Sequence, residues 1–333
     1  MRRAALFVTV VAGVLVAPAT AASAHGADAP DATAYRTAVT GITPPQPGLT
    51  VRAVEARARL ELTNHTGKTV EVLGYSGEPY LEVRPDGTYQ NVNSPATYLN
   101  ATLAGDTAVP ATADPTAPPS WRRVSGATTV RWHDQRTHWL SPGLPPAAAA
   151  DPSRSHRLRD WAVPLREEAR TFEIRGTLDW IPPPAAGLWW AAAALLAGAV
   201  AALASRWAWS VGPVALIAGT IVLSYGVLRM LDGLPFAPVL FLAAAVALVA
   251  GVLSLRRRVP FFLALAGAVL AVFAGLANIG VFRAAVVPIA GPSWFGRLAV
   301  LVALGAGAGM AAAGVIRLRA SALAPAQSSE ARA

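Results

Sequence analysis

The sequence predicts an α+β protein in two separate domains: an all-β, immunoglobulin-like sandwich followed by an all-α bundle of transmembrane helices. Three observations lead to this prediction. Alternating apolar and polar residues fill the first half of the chain, a signal-like segment precedes them, and five long apolar runs fill the second half. The 333 residues leave room for both domains, and a hydrophobic fraction of 54% exceeds that of an ordinary soluble protein.

The N-terminus has the three regions of a secretory signal peptide. Two arginines precede an apolar run at residues 4–16, and small residues follow at the end of the segment. The small-x-small pattern at residues 22–24 predicts a signal peptide of residues 1–24, which makes His25 the first residue of the mature chain. Residues 19–21 offer a second cleavage site. Either cleavage sends the following domain out of the cytoplasm.

Residues 25–181 are predicted to form the outer β-domain, because their apolar residues recur with period 2. Residues 54–62 alternate without interruption, which predicts one strand with a wet face and a buried face. The pattern continues at residues 70–72, so residues 64–67 are predicted to be a hairpin turn. His65 is expected to be exposed at the tip of that turn.

The remaining strands of the outer domain are predicted from shorter patterns. Residues 80–84 and 88–92 flank a Pro-Asp-Gly turn, and residues 172–180 alternate most clearly. Residues 27–47 contain several prolines and no clear period, which predicts an extended lead-in. Seven or eight short strands with turn signals between them are typical of an immunoglobulin-like sandwich.

Residues 131–139, Arg-Trp-His-Asp-Gln-Arg-Thr-His-Trp, are the densest polar stretch of the chain and hold two of its five histidines. Proline-rich loops on both sides predict a strand here. In a strand His133 and His138 would face opposite ways, and in a helix they would lie about 140° apart. Only a turn between them would bring the two rings together.

The residue types in this stretch allow a structural and a functional interpretation. In the structural one, Trp132 and Trp139 anchor the edge of a core while Asp134, Arg136 and the imidazoles hydrogen-bond one another. In the functional one, these four residues bind a ligand. An envelope enzyme would instead use His133, Asp134 and His138 in catalysis.

A metal site is the most specific functional hypothesis. Cleavage after Ala24 gives His25 a free amine beside its imidazole, and the two nitrogens can chelate a divalent metal. His133 or His138 would supply a third nitrogen, a ligand set that suits Cu(II). The chain has no cysteine and the exported domain has no methionine, which excludes a soft Cu(I) site there.

Five apolar runs after Gly187 are each near the roughly 20 residues that a spanning helix requires. They follow a proline-rich linker at residues 182–187, occupy residues 188–316 and leave a tail at residues 317–333. Arginines cluster on the side opposite the outer domain, so the positive-inside rule predicts a plasma-membrane protein with a cytoplasmic C-terminus. The predicted spans are residues 188–204, 209–229, 235–255, 259–280 and 298–316.

The composition of the predicted bundle limits its function. After Gly187 there is no histidine, and the only acids are Asp232 and Glu330. Proton-coupled transport and ion conduction depend on ionisable residues within the helices, so both are disfavoured. The small-residue faces at residues 305–309 and 267–275 allow helices to approach closely, which would permit a homo-oligomer.

The net charge of +9 does not predict a nucleic-acid partner. Lys68 is the only lysine, and the arginines form no run of five or six basic residues. Much of the positive charge flanks the apolar runs. The expected partner is therefore the lipid bilayer, with an envelope protein or a metal ion at the outer domain.

The chain resembles a family of uncharacterised actinobacterial multi-pass membrane proteins with a secreted β-rich N-terminal domain. The resemblance extends over nearly the whole chain and implies topology and source, with no established activity to transfer. The residues that carry it are Leu60-Glu61-Leu62-Thr63-Asn64, Thr66-Gly67, Gly77-Glu78-Pro79-Tyr80-Leu81, Ser94-Pro95-Ala96-Thr97-Tyr98, Trp132-His133-Asp134, Arg136 and His138-Trp139.

Taken together, the sequence favours a non-enzymatic plasma-membrane protein that displays a β-sandwich outside the cell. The sandwich would bind a partner protein, an envelope component or a metal. The chain has no Gly-rich phosphate loop, no H-E-x-x-H and no G-x-S-x-G, which disfavours the envelope enzyme. An accessory subunit of a transporter is the third hypothesis, in which the apolar helices supply packing surfaces.

Overall fold

The computed structural model describes residues 34–141, 143–207, 210–256 and 260–323. The predicted signal peptide, His25, Arg257, Arg258 and residues 324–333 lie outside the described residues. In the described part, a region of antiparallel β-sheet is followed by five long apolar helices. The predicted order of a β-rich region and a helical bundle is confirmed.

The described part of the β-domain has ten strands in two antiparallel sheets. One sheet has seven strands in the order β1-β10-β9-β4-β5-β6-β7, and the other has three in the order β2-β3-β8. An immunoglobulin-like sandwich is not confirmed. The strands are β1 (Tyr35–Thr43), β2 (Leu49–Val54), β3 (Arg59–Asn64), β4 (Val70–Leu73), β5 (Pro79–Arg84), β6 (Gly87–Asn91), β7 (Trp121–Ser125), β8 (Thr129–Trp132), β9 (His156–Glu167) and β10 (Arg170–Trp180).

The two sheets pack on a common apolar core. Leu60 and Leu62 of the three-stranded sheet pack in one cluster with Val70, Val83 and Ile174 of the seven-stranded sheet, and all five are at most 1% exposed. Each such side chain contributes roughly 1.5–3 kcal/mol when it is fully buried. The apolar residues that alternate in the sequence therefore do form the buried faces of the two sheets.

The predicted single strand over residues 54–62 is wrong. Strand β2 ends at Val54 and β3 begins at Arg59, and the chain reverses between them. Glu55, Ala56 and Arg57 have φ angles of 57°, 58° and 70°, in the left-handed region that costs roughly 1–2 kcal/mol for a residue with a side chain. A local alternation pattern cannot reveal a turn of this kind.

Other strand predictions have mixed outcomes. Strands β5, β6 and β10 confirm the predictions for residues 80–84, 88–92 and 172–180. Strand β4 pairs with β5 and β9, so the predicted hairpin with β3 is wrong, and exposed His65 lies in a connection between the two sheets. The predicted lead-in contains β1, which pairs with β10 along its length.

Five described helices are long and apolar enough to cross a membrane, which confirms a multi-pass membrane protein. The fourth span begins as an α-helix and continues through a π-helical segment, Leu270–Gly275, and a 3-10 segment, Leu276–Phe282. The last helix extends beyond the predicted span, so residues 317–323 of the predicted tail are helical. After the short helices α1 (Ala96–Leu99) and α2 (Pro146–Ala150), the long helices are α3 (Ala186–Arg206), α4 (Val211–Leu231), α5 (Pro238–Arg256), α6 (Pro260–Val269) and α7 (Ser293–Leu323).

The predicted small-residue faces are used within the bundle. A Cβ atom on Gly305 or Gly309 of α7 would lie 2.7 or 2.6 Å from a carbonyl oxygen of α3. A Cβ on Gly267 of α6 would lie 2.6 Å from the carbonyl oxygen of Gly307. Real Cβ atoms do not approach so closely, so only glycine permits these backbones to touch. A homo-oligomer would have to use a different surface of this bundle.

Candidate functional site

Asp134 organises the polar stretch that the sequence singled out. Its side chain is fully buried and forms a bidentate pair with Arg136, with Nε–Oδ1 and Nη2–Oδ2 distances of 2.8 Å each. The indole Nε1 of Trp132 donates to Oδ2 at 3.1 Å, and the Arg136 backbone N–H donates to Oδ1. The carboxylate is thus neutralised and hydrogen-bonded, as a buried charge must be.

Arg136 connects this carboxylate to the neighbouring loops. Its guanidinium donates to the Leu73 carbonyl at 3.1 Å and lies over the ring of Tyr75, 4.9 Å from the ring centre. Trp139 is partly buried against the core, and its Nε1 donates to the Gly143 carbonyl. Trp132, Asp134, Arg136 and Trp139 therefore each make a hydrogen bond within the β-domain, and ligand binding by these four residues stays a prediction.

The two histidines converge because a 3-10 turn, Gln135–Thr137, separates them. The expected strand ends at Trp132, so the strand prediction for residues 132–139 is wrong. His133 Nδ1 and His138 Nε2 each lie 2.9 Å from the carbonyl oxygen of Ala58. A carbonyl oxygen only accepts, so both of these nitrogens carry hydrogen. His133 Nε2 then accepts a hydrogen bond from Arg59 Nε at 3.0 Å.

The arrangement bears on the two functional hypotheses for these residues. Asp134 bonds Arg136 and Trp132 in place of an imidazole, so His133, Asp134 and His138 do not form an acid–base relay. His133 would have to release Arg59 to offer a metal its Nε2 lone pair. The described residues contain no cluster of three or more His, Asp or Glu side chains able to hold a metal. His25 lies outside them, and the Cu(II) site stays a prediction.

Stability is expected to depend on pH through His138. Burial is the main reason that the pKa of His138 is lowered from 6.5 to about 4, and the neighbouring His133 adds to the effect by disfavouring a second positive charge. Between these values the unfolded chain binds more protons, so the free energy of unfolding should fall as the pH drops from 6.5 to 4. Chemical denaturation of wild type and His138→Gln across this range measures the effect. The variant should show a shallower slope, His65→Gln in an exposed turn should not, and equal slopes in all three would contradict the assignment.

A second polar cluster, which sequence reasoning missed, joins the three-stranded sheet to the bundle. We call it the docking network. Glu61 accepts from Arg52 Nε at 2.5 Å and from Arg131 Nε at 2.6 Å, and Glu55 lies 3.4–3.5 Å from Arg131 and Arg59. Burial opposes ionisation of Glu61, but these arginine hydrogen bonds outweigh it and lower its pKa. Its members are Arg52, Glu55, Arg59, Glu61 and Arg131 of the β-domain with Asp232 and Gly233 of the bundle.

The α4–α5 loop fits into the left-handed turn between β2 and β3. The N–H of Glu55 donates to the Asp232 carbonyl at 2.7 Å, and the N–H of Ala56 donates to Asp232 Oδ2 at 2.8 Å. Successive N–H groups of this kind form a concave anion site. Burial raises the pKa of Asp232 although the Ala56 N–H opposes this shift. The strained turn therefore holds Asp232 at two atoms, its backbone carbonyl oxygen and one carboxylate oxygen.

Arginines complete the contact on both sides of Asp232. Arg52 Nη1 donates to the Leu231 carbonyl at 3.2 Å, and Arg131 Nη1 donates to the Gly233 carbonyl at 2.9 Å.

No family model, curated protein or solved structure matches the chain. The site must therefore be interpreted from its own chemistry. Asp232 was the one sequence signal for it, as the single acid in the predicted bundle.

Proposed function

We propose that this chain is a non-enzymatic plasma-membrane protein whose outer β-domain binds an envelope component and is coupled to the helical bundle. The observation that carries the proposal is a set of four hydrogen bonds from the three-stranded sheet to the α4–α5 loop. A domain on a flexible tether would not need them. Fixed contact allows a change in the sheet to bias the helices.

Two further features support this proposal. The side chains that looked most catalytic, His133, Asp134 and His138, are committed to hydrogen bonds that hold the domain together. Arg206 and Arg317 lie near the ends of α3 and α7 remote from the docking network, and Arg317 donates to the Ala204 carbonyl. The positive-inside rule assigns that end to the cytoplasm, with the β-domain outside.

An engineered disulfide tests the docking directly, because the chain has no cysteine. A Cβ on Gly233 would lie 3.4 Å from the Cβ of Val54, just below the roughly 3.5–4.5 Å separation in a disulfide. It would also lie 3.1–3.2 Å from the Arg131 guanidinium, which must shift slightly. The double variant Val54→Cys/Gly233→Cys should therefore oxidise in intact membranes. Alkylation of free thiols followed by mass spectrometry measures the fraction that is bridged, which we expect to exceed half.

The matched control is Val54→Cys/Gly291→Cys. Gly291 also lies in an outer loop, but among the described residues beyond its chain neighbours only Leu228 reaches its Cβ position, at 3.9 Å. This pair should keep free thiols under the same conditions. Free thiols in both double variants would show that the β-domain is not held on the α4–α5 loop, and the coupling proposal would fail.

A further inference from the structure

A cavity of about 240 Å³ lies in the outer domain where β7 and β8 diverge into different sheets. It is smaller than the roughly 300–1,000 Å³ of sites for drug-sized ligands. Leu81, Val124, Val130 and the indole of Trp132 give it apolar walls. Its size and lining suit a small molecule with one apolar part.

One residue that lines this cavity has a buried amide donor without an acceptor in the described part of the chain. Asn100 is 5% exposed and its Oδ1 accepts from the hydroxyl of Tyr75. Its Nδ2 is buried and makes no hydrogen bond of normal geometry with the described residues. A buried donor without a partner costs roughly 1–3 kcal/mol. A ligand oxygen at this position would recover that free energy.

The charged residues around the cavity also favour an anionic ligand that accepts hydrogen bonds. Arg59 and Arg131 line it together with His133, and within the described chain no carboxylate does. The carboxylates that pair with these arginines, Glu55 and Glu61, belong to the docking network. That network, with Arg57 beside Asp232, holds four arginines and three carboxylates. Together these seven side chains therefore carry a net charge of +1.

We infer that the cavity binds a small organic carboxylate, with the carboxylate near Arg59, Arg131 and Asn100 and the apolar part against Trp132. This inference rests on the proposed function and specifies its ligand. Arg131 lines the cavity and also donates to the Gly233 carbonyl, so a bound carboxylate competes for the group that holds the α4–α5 loop. Ligand binding and docking thus share one side chain.

The experiment uses the full chain in detergent micelles and isothermal titration calorimetry. Benzoate represents a small free acid, N-acetyl-alanyl-alanine represents the carboxylate end of an envelope peptide, and benzamide is the neutral control. Benzoate or the peptide should bind and benzamide should not. The tighter of the two acids identifies the source of the carboxylate, and no binding of either acid would overturn the inference.

Matched variants locate the site. Asn100→Asp removes the donor and adds a negative charge inside the cavity, and it should weaken binding by about tenfold or more. Asn93→Asp makes the same change outside the cavity lining and should leave the affinity unchanged. If Asn100→Asp does not fold, Val124→Trp fills the mouth of the cavity from an exposed position and should also abolish binding. Wild-type affinity in a folded cavity variant would overturn the assignment.

The disulfide variant separates the two proposals. A bridged Val54→Cys/Gly233→Cys protein together with no acid binding by the wild type would overturn the carboxylate site alone. Acid binding that depends on Asn100, together with free thiols at residues 54 and 233, would support the site and overturn the docking. If both proposals hold, closing the bridge should change the affinity for the acid.

Discussion

Replacement of Asp134 with alanine should lower the free energy of unfolding of the β-domain by about 3–5 kcal/mol, because removing one partner of a buried ion pair leaves the other charge unpaired. Asp134 is fully buried and accepts hydrogen bonds from Nε and Nη2 of Arg136 and from the indole N–H of Trp132. Its loss leaves a guanidinium and an indole N–H without an acceptor. Denaturant unfolding of the full chain, followed by near-ultraviolet circular dichroism, measures the change.

Asp160→Ala is the matched control for this variant. Asp160 also pairs with an arginine, Arg157, at 3.0 Å, but its side chain is 80% exposed. Water already solvates such a pair, so its loss should cost less than about 1 kcal/mol. Equal effects of the two substitutions would mean that the Asp134 network contributes no more than a surface ion pair.

Gly307→Leu should destabilise the helical bundle by about 3 kcal/mol or more, because the added side chain has no space to occupy. A Cβ on Gly307 would lie 2.7 Å from the Gly267 carbonyl oxygen and from the Ala271 backbone nitrogen. Both atoms are backbone and cannot rotate away, so the fourth and fifth spans must separate. Thermal unfolding in detergent, followed by size-exclusion chromatography, measures the loss of the folded protein.

Gly198→Leu in α3 makes the same substitution where space exists. Apart from the backbone of its own helix, no atom of the described residues lies within 4 Å of the Cβ position of Gly198, so the variant should unfold within a few degrees of the wild type. A large shift for Gly198→Leu, or none for Gly307→Leu, would contradict the helix packing described above. The pair separates an effect of packing from the general effect of leucine on an apolar helix.

The location of the membrane helices was predictable because it depends on local composition. Runs of about 20 apolar residues leave few alternatives to a spanning helix, and all five predicted spans overlap the observed ones. Strand β10 was equally clear, since Phe172 and Ile174 face one side and Glu173 and Arg175 the other. Such patterns are complete within one element and need no information from elsewhere.

The turn at residues 55–57 and the docking network were not predictable in this way. Alternation continues through Glu55 and Ala56, and nothing nearby signals a left-handed turn of residues with side chains. The group that stabilises this turn is Asp232, 176 residues later in the chain. The convergence of His133 and His138 likewise depends on an acceptor, the Ala58 carbonyl, from a distant turn.

The left-handed turn also implies an order in which parts of the protein fold during synthesis. The β-strands are synthesised before the helices, and domains generally fold in that sequence. The N–H groups of Glu55 and Ala56 nevertheless have no acceptor until Asp232 has been synthesised, and Asp232 follows the second membrane helix. We expect the β2–β3 turn to close only after α4 has been inserted. The nascent β-domain should therefore become fully resistant to protease only at that point of synthesis.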